Sequence, residues 1–193
     1  MSDLDDADAA ADETPEGDVA AARHGGAAPG FVDPRPVVAP EHYRATLGHF
    51  CTGVTIVTAV ADGSPAGLTC QSFSALSLDP PTVLVCPGKG STSWPRIESA
   101  GAFCVNVLAE DQEELCRGFA MKGADKFAGV GWTPGPFTGA PVITGSLAWI
   151  ECRLEQVHDA GDHVIAVGQV LDLKSSAGRP LLFFRGGYGR FDV

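Results

Sequence analysis

The 193-residue chain carries 24 acidic against 13 basic side chains, for a formal net charge of −11. It is long enough for one domain with a proper core, and its acidic balance speaks against nucleic acid, whose phosphates are held by clustered Lys and Arg. Cysteines stand at 51, 70, 86, 104, 116 and 152 with no CxxC spacing, so reduced thiols are expected, with neither disulfides nor a metal site.

Residues 1–39 are rich in Ala, Gly, Pro and Asp. Up to Pro40, nine acidic residues face only Arg23 and Arg35, which accounts for seven of the eleven net negative charges. Such a segment buries too little apolar surface to offset the ordering of its backbone, and it is expected to be a disordered tail before a folded domain over 40–193. It has neither the basic start nor the apolar middle of a signal peptide, and no later run has the length of a membrane span. A soluble, cytoplasmic protein without membrane contact is expected.

From Pro40 to Phe50 a helix is predicted, with Tyr43, Leu47 and Phe50 on one face. Val54–Val60 alternates and is β-branched, Asp62-Gly63 is a turn signal, and Ala66–Cys70 returns, which predicts a hairpin. Thr82–Cys86 is an apolar run of buried-strand length after Pro80 and Pro81. A short helix follows over Ser91–Ala100, with Ser91 or Ser93 as its cap and Pro95 in its first turn. Phe103–Leu108 is a strand whose one polar side chain, Asn106, is either a satisfied structural amide or a ligand contact. Asp111–Phe119 predicts a helix burying Leu115 and Phe119. The segment 123–141 is loop-like, and strands are predicted over Ser146–Val157, His163–Leu173 and Leu181–Phe184. Six or seven strands with three short helices and no βαβ alternation indicate a mainly β fold, a closed or nearly closed antiparallel barrel.

Two polar concentrations interrupt this pattern. The first spans Gly67–Trp94, where two consecutive strand ends bring hydroxyls and free backbone N–H groups together, as holding a phosphate and a polar ring requires. Thr69, Cys70, Gln71, Ser72, Phe73 and Ser74 form its first turn; Pro87–Ser93 adds a lysine, two glycines and three hydroxyls. The second, His158–His163, sets two imidazoles and two carboxylates in one turn, open to hairpin capping, acid–base work or contact with a polar ligand. A dinucleotide fingerprint is lacking, and PGKGST departs from the phosphate-loop pattern because Val83 stands at the upstream glycine position and Gly90 follows Lys89. Hydrolase and zinc-protease signatures are absent as well.

The blocks FCTGVTIVT, GLTCQSFSALSLDPP, VNVLAEDQ, GADKFAGVGW, HDAGDHVIAVGQV and PLLFFRGGYG, running from about Tyr43 to Tyr188, together resemble the flavin reductase family, the short NAD(P)H-dependent reductases that serve two-component flavin monooxygenases. The resemblance implies a split-barrel homodimer binding FAD or FMN at the subunit interface as a co-substrate, with NADH or NADPH as reductant and a flavin-dependent monooxygenase as recipient of the reduced flavin. It implies that Thr69–Ser74 line the flavin ring with Thr52 beside it. Pro87–Trp94 would hold the phosphate through Lys89, Ser91 and Ser93, while Lys126 and Phe127 touch the flavin from the helix side. His163, fixed by Asp162, would face the nicotinamide, with Arg185 and Tyr188 completing that face; Asn106, Trp94 and His158 are further candidate contacts. Hydride transfer between two stacked rings needs no nucleophile or paired acid, which suits a chain lacking a triad. The alternatives are a non-enzymatic flavin sensor and a pyridoxamine-phosphate-oxidase-like or deazaflavin-dependent relative.

Overall fold

The computed structural model describes residues 38–123 and 125–191. The expected tail lies, up to residue 37, outside the described residues. Helix α1 (Pro40–Leu47) leads into β1 (Thr52–Gly53), β2 (Thr55–Ala61), β3 (Ser64–Cys70), β4 (Phe73–Leu78) and β5 (Pro81–Val85). After α2 (Trp94–Ala100), β6 (Ala102–Val107) and α3 (Glu113–Ala120) come β7 (Trp132–Pro134) and β8 (Pro141–Ile143). The chain ends with β9 (Ala148–Ala160), β10 (His163–Ser175), β11 (Leu182–Phe184) and β12 (Gly187–Gly189).

Seven strands form one antiparallel sheet in the order β3-β2-β6-β9-β10-β5-β4. Its two outermost strands, β3 and β4, are consecutive in the chain and separated only by Gln71 and Ser72. Two residues span less than ~10 Å, so the sheet has to curl until its edges approach each other at this turn. The three-stranded sheet β1-β11-β12 and the pair β7-β8 complete the β structure.

The alternation read from Val54–Val60 places Val57 and Ala59 in one core with Phe103, Val105, Ile150 and Ala166, while Val54 and Ile56 enter a second with Leu108, Cys116 and Phe119. Strand β2 is thus buried on both faces. Gly168 in β10 admits the ring of Phe103: a Cβ there would lie 2.5 Å from Phe103 Cζ.

The structure differs from expectation in three places. Phe73–Leu78 is a strand, although Ser74–Leu78 are all exposed, because an edge strand needs no apolar alternation. Within 123–141 the expected loop contains β7 and begins β8 at Pro141, over a layer of buried polar groups. Glu151, fully buried, accepts from the N–H of Phe137 at 3.1 Å, the N–H of Thr138 at 2.8 Å and the Thr138 hydroxyl. Finally, Tyr43, Leu47 and Phe50 are 56, 53 and 78 % exposed, so among the described residues nothing packs over the apolar stripe of the N-terminal helical segment. Among the described residues, no helix is long and apolar enough to cross a membrane.

Candidate functional site

Backbone pairing builds the site. The end of β5 passes into the loop 87–92, and the turn between β9 and β10 lies against it. Pro87 O accepts from Val164 N at 3.1 Å, Asp162 O accepts from Lys89 N at 2.9 Å, and Gly88 forms an antiparallel bridge with His163. On the other side, Ser72 O accepts from Cys86 N at 3.1 Å, which fixes the β3–β4 turn beside the same loop. The two strand ends and the histidine-bearing turn therefore meet, as the sequence led us to expect.

His163 lies over Gly88, where a Cβ would approach its Nε2 to 3.5 Å. Its Nδ1 faces Asp162 Oδ1 at 2.7 Å, an arrangement in which a neutral ring donates from Nδ1 and keeps Nε2 as an acceptor. The hydrogen bond from His163, and then its charge, hold the Asp162 carboxyl below the usual carboxylate range. The sign follows: an Asp with a depressed folded value makes its full contribution above the unfolded value of ~3.9 and loses it as pH falls through the lower one. The contact is thus intact across neutral pH.

A cleft of about 490 Å3 runs between these elements, lined by Thr69–Ser72, Cys86–Gly88, Gly90–Thr92, Lys122, Lys126, His163 and Tyr188 but not by Lys89. Across the Gln71–Ser72 turn it borders a larger groove of about 990 Å3, which includes Phe50, Thr52, Phe73 and Ser74. Thr69 is anchored by donating to Cys116 O at 2.7 Å. Burial raises the Cys70 thiol to about 11, so it is a neutral neighbour and no thiolate. Tyr188 OH pairs with Cys116 Sγ at 3.2 Å beneath the Arg117 guanidinium, which sits 4.6 Å from the ring centroid. Burial is the main cause that lifts the phenol to about 12, so Tyr188 keeps its proton at any working pH.

Several expected contacts have other partners. Lys89 is paired with the Asp159 carboxylate, while the ammonium of Lys122 stands 3.9 Å from where a Gly90 Cβ would be. Lys122, which the sequence reading passed over, is the cation above the loop, and it makes no ion pair among the described residues. Its signal was its place next to GADKF, where Lys126 drew attention instead. Ser91 Oγ accepts from Ser93 N and Trp94 N, both at 3.2 Å, and so caps α2. Ser93, 8 % exposed, accepts from Lys126 Nζ, which also donates to Gly67 O and Phe119 O. That lysine ties β3, α2 and α3 together, and burial lowers its pKa.

Trp94 is 4 % exposed within the first core and faces no cleft, which corrects the expectation of a ligand contact. Asn106 is corrected likewise. Fully buried, its Nδ2 donates to Ile56 O, Thr58 Oγ1 and Pro141 O, and its Oδ1 accepts from Ile143 N at 2.8 Å, so the amide is spent on structure. Phe127 packs edge-on to Phe119 and Trp132. His158 turns to Gln156 Oε1 at 3.0 Å and does not line the cleft. Arg185 stands at the β11–β12 turn, its N–H donating to Gly48 O, also outside the cleft.

The residues that remain fit a flavin: two glycines that leave the loop open, an ammonium over it, the Gln71–Ser72 turn between two cavities, and Thr52 Oγ1, buried without a hydrogen-bond partner beside the larger groove. Fold and cleft define a β protein with an open, glycine-bearing loop beside a carboxylate-oriented imidazole. The model of the flavin reductase like domain matches residues 47–192, and the chain belongs to that family. It is 57 % identical over 150 residues to "Flavin-dependent monooxygenase, reductase subunit HsaB" of Rhodococcus jostii (strain RHA1), covering 77 % of this chain and 76 % of that one. It is 45 % identical over 149 residues to "FMN reductase (NADH) SmoA" of Agrobacterium fabrum, covering 77 % and 84 %. The solved structure of the Streptomyces globisporus NADH:FAD oxidoreductase SgcE6 with NAD and FAD fragments superposes with a TM-score of 0.75 at 38 % identity, over 79 % of this chain and 92 % of that one.

Proposed function

We propose that the protein is an NADH-dependent flavin reductase that reduces FAD or FMN and releases it to a partner flavin-dependent monooxygenase. The observation that carries this reading is the junction of the loop 87–92 with the His163 turn, which sets a glycine- and hydroxyl-rich loop and an oriented imidazole on one cleft. Relatives that are an FMN reductase using NADH, an NADH:FAD oxidoreductase and a monooxygenase reductase subunit support it. A bound flavin supplies the acceptor for hydride from the nicotinamide, and both cofactors bring their own electronics.

The protein's part is to bind, orient and exclude water. Gln71, Ser72, Phe73 and Ser74 flank the ring together with Thr52, and Lys122 over Gly90 neutralises the phosphate. His163, held by Asp162 through Nδ1, would orient the nicotinamide with its free Nε2, and Tyr188 would complete the cleft wall as a neutral phenol. Lys122→Gln is expected to weaken flavin binding about tenfold, the loss of a charge-assisted contact, as read by quenching of flavin fluorescence; unchanged affinity would return the phosphate to Lys89.

The rolled sheet with its split edge is a split barrel, and the protein works as a homodimer in the cytoplasm. Exposed Tyr43, Leu47 and Phe50 beside the larger groove support the dimer, because such apolar stripes mark interfaces. The test of function is to mix protein, NADH and free FAD or FMN and follow the nicotinamide absorbance. Turnover supports the reductase, whereas flavin binding without NADH oxidation would make this a sensor.

A further inference from the structure

The β9–β10 hairpin that carries His163 reaches beyond the strand that supports its base. Strand β5 pairs with β10 over Ala166–Gln169, and the hairpin tip continues past the end of that ladder. The two sides of the tip are seated differently. On the β10 side Val164 packs against the first core, whereas on the β9 side Glu155–Ala160 are all exposed. The main-chain contacts to the loop 87–92 also come from the β10 side and the turn: Lys89 N donates to Asp162 O, Val164 N donates to Pro87 O, and Gly88 bridges His163. A side chain reaches the β9 side. Lys89 Nζ donates to the carboxylate of Asp159, which stands opposite Val164 in the hairpin ladder. Neighbouring His158 turns instead to Gln156 on its own strand.

One lysine thus grips both strands of the hairpin, by its main-chain N–H at the turn and by its ammonium on β9. It does so from outside the cleft, whose wall includes Gly88 and Gly90 but not Lys89. The hydrogen bond from Lys89, and then its charge, hold the Asp159 carboxyl below the usual carboxylate range, so the pair is formed across neutral pH. We propose that Lys89 and Asp159 are positioning residues for hydride transfer, a clamp that fixes the His163 turn against the loop 87–92 and thereby sets where the imidazole meets the nicotinamide; the inference rests on the flavin reductase reading above. Without the pair the tip stays hinged on its β10 side, where the main-chain bonds remain, and its β9 side is released. A small displacement of an orienting group lowers the rate of a step that depends on alignment. Both side chains are exposed, 42 % for Lys89 and 79 % for Asp159, so the effect is modest. The sequence pointed to Lys89 as a phosphate donor because of its place in PGKGST; its partner stands 70 residues away.

The test is a set of substitutions read by kcat/KM for NADH, by flavin titration and by Tm. Asp159→Ala is expected to lower kcat/KM for NADH about threefold, the scale on which an exposed ion pair acts, with flavin affinity and Tm unchanged. Lys89→Met, which keeps the stem and removes the charge, is expected to do the same. The double variant is expected to be no slower than either single one, because each removes the same contact. Since the clamp acts through the imidazole, Asp159→Ala is expected to add nothing to His163→Ala. Four results overturn the proposal: Asp159→Ala without kinetic effect, weaker flavin binding by Lys89→Met, a threefold loss that persists in the His163→Ala protein, or a loss of rate that only accompanies a lower Tm. Absence of NADH oxidation by the wild type with either flavin refutes the reductase reading instead.

Discussion

His163→Ala lowers NADH oxidation by about 100-fold while leaving flavin affinity within about twofold, a separation that follows from where the ring sits. Its Nδ1 is committed to Asp162 at 2.7 Å and its Nε2 lies over Gly88 at the cleft, which in the proposed function leaves it to orient the reductant rather than the phosphate. Misplacing a reacting ring by an ångström costs on the order of 100-fold in rate. Asp162→Asn is the milder companion: it keeps the ring but removes the acceptor that sets its tautomer, and a fall of about tenfold with unchanged flavin binding is expected. Steady-state kinetics in NADH, read beside a flavin titration, check both. Loss of flavin binding with intact turnover of the remaining complex would move His163 to the flavin side.

The largest effect on stability is expected at Glu151, away from the cleft. Its fully buried carboxylate organises the turn between β7 and β8 through the N–H groups of Phe137 and Thr138 and the Thr138 hydroxyl. Glu151→Ala leaves those donors buried without an acceptor and a void under the turn, a cost of roughly 3 kcal/mol. For a domain of this size that corresponds to a Tm lower by about 10 °C. Glu151→Gln retains the shape and one acceptor oxygen and is expected to cost about half as much. Gly135 lies so close to this carboxylate that any Cβ would collide with it, and Gly135→Ala is expected to resemble the glutamine variant. Thermal unfolding followed by circular dichroism decides; a Glu151→Ala protein melting with the wild type would show that the carboxylate does not hold the turn.

Much of this molecule was legible where residues face a core. Val54–Val60 alternates and Phe103–Leu108 is apolar but for Asn106, both patterns that burial in a core imposes, and α1 and α2 end at Gly48 and Gly101. What escaped is structure held by polar contacts at an edge. Strand β4 exposes nearly every side chain and so has no pattern to read, and β7 and β8 rest on Glu151, whose burial cannot be seen in the letters WIEC. The cleft itself was readable as two polar turns, and the bridge between Gly88 and His163 joins them. Which cation serves the loop was not, because it depends on pairing across distant segments: Lys89 finds Asp159, leaving Lys122 over Gly90. Asn106 was open to a structural or a ligand role and Trp94 was a candidate contact only through the family resemblance; partners from β2 and β8 claim the amide and the first core claims the indole.

A crystal structure of the protein with FAD and NAD bound tests the central claim most directly. The account predicts the flavin ring against Gln71–Ser74 with its first phosphate under Lys122, and the nicotinamide between that ring and His163. A flavin seated elsewhere, with His163 contacting neither ring in any subunit, would contradict it.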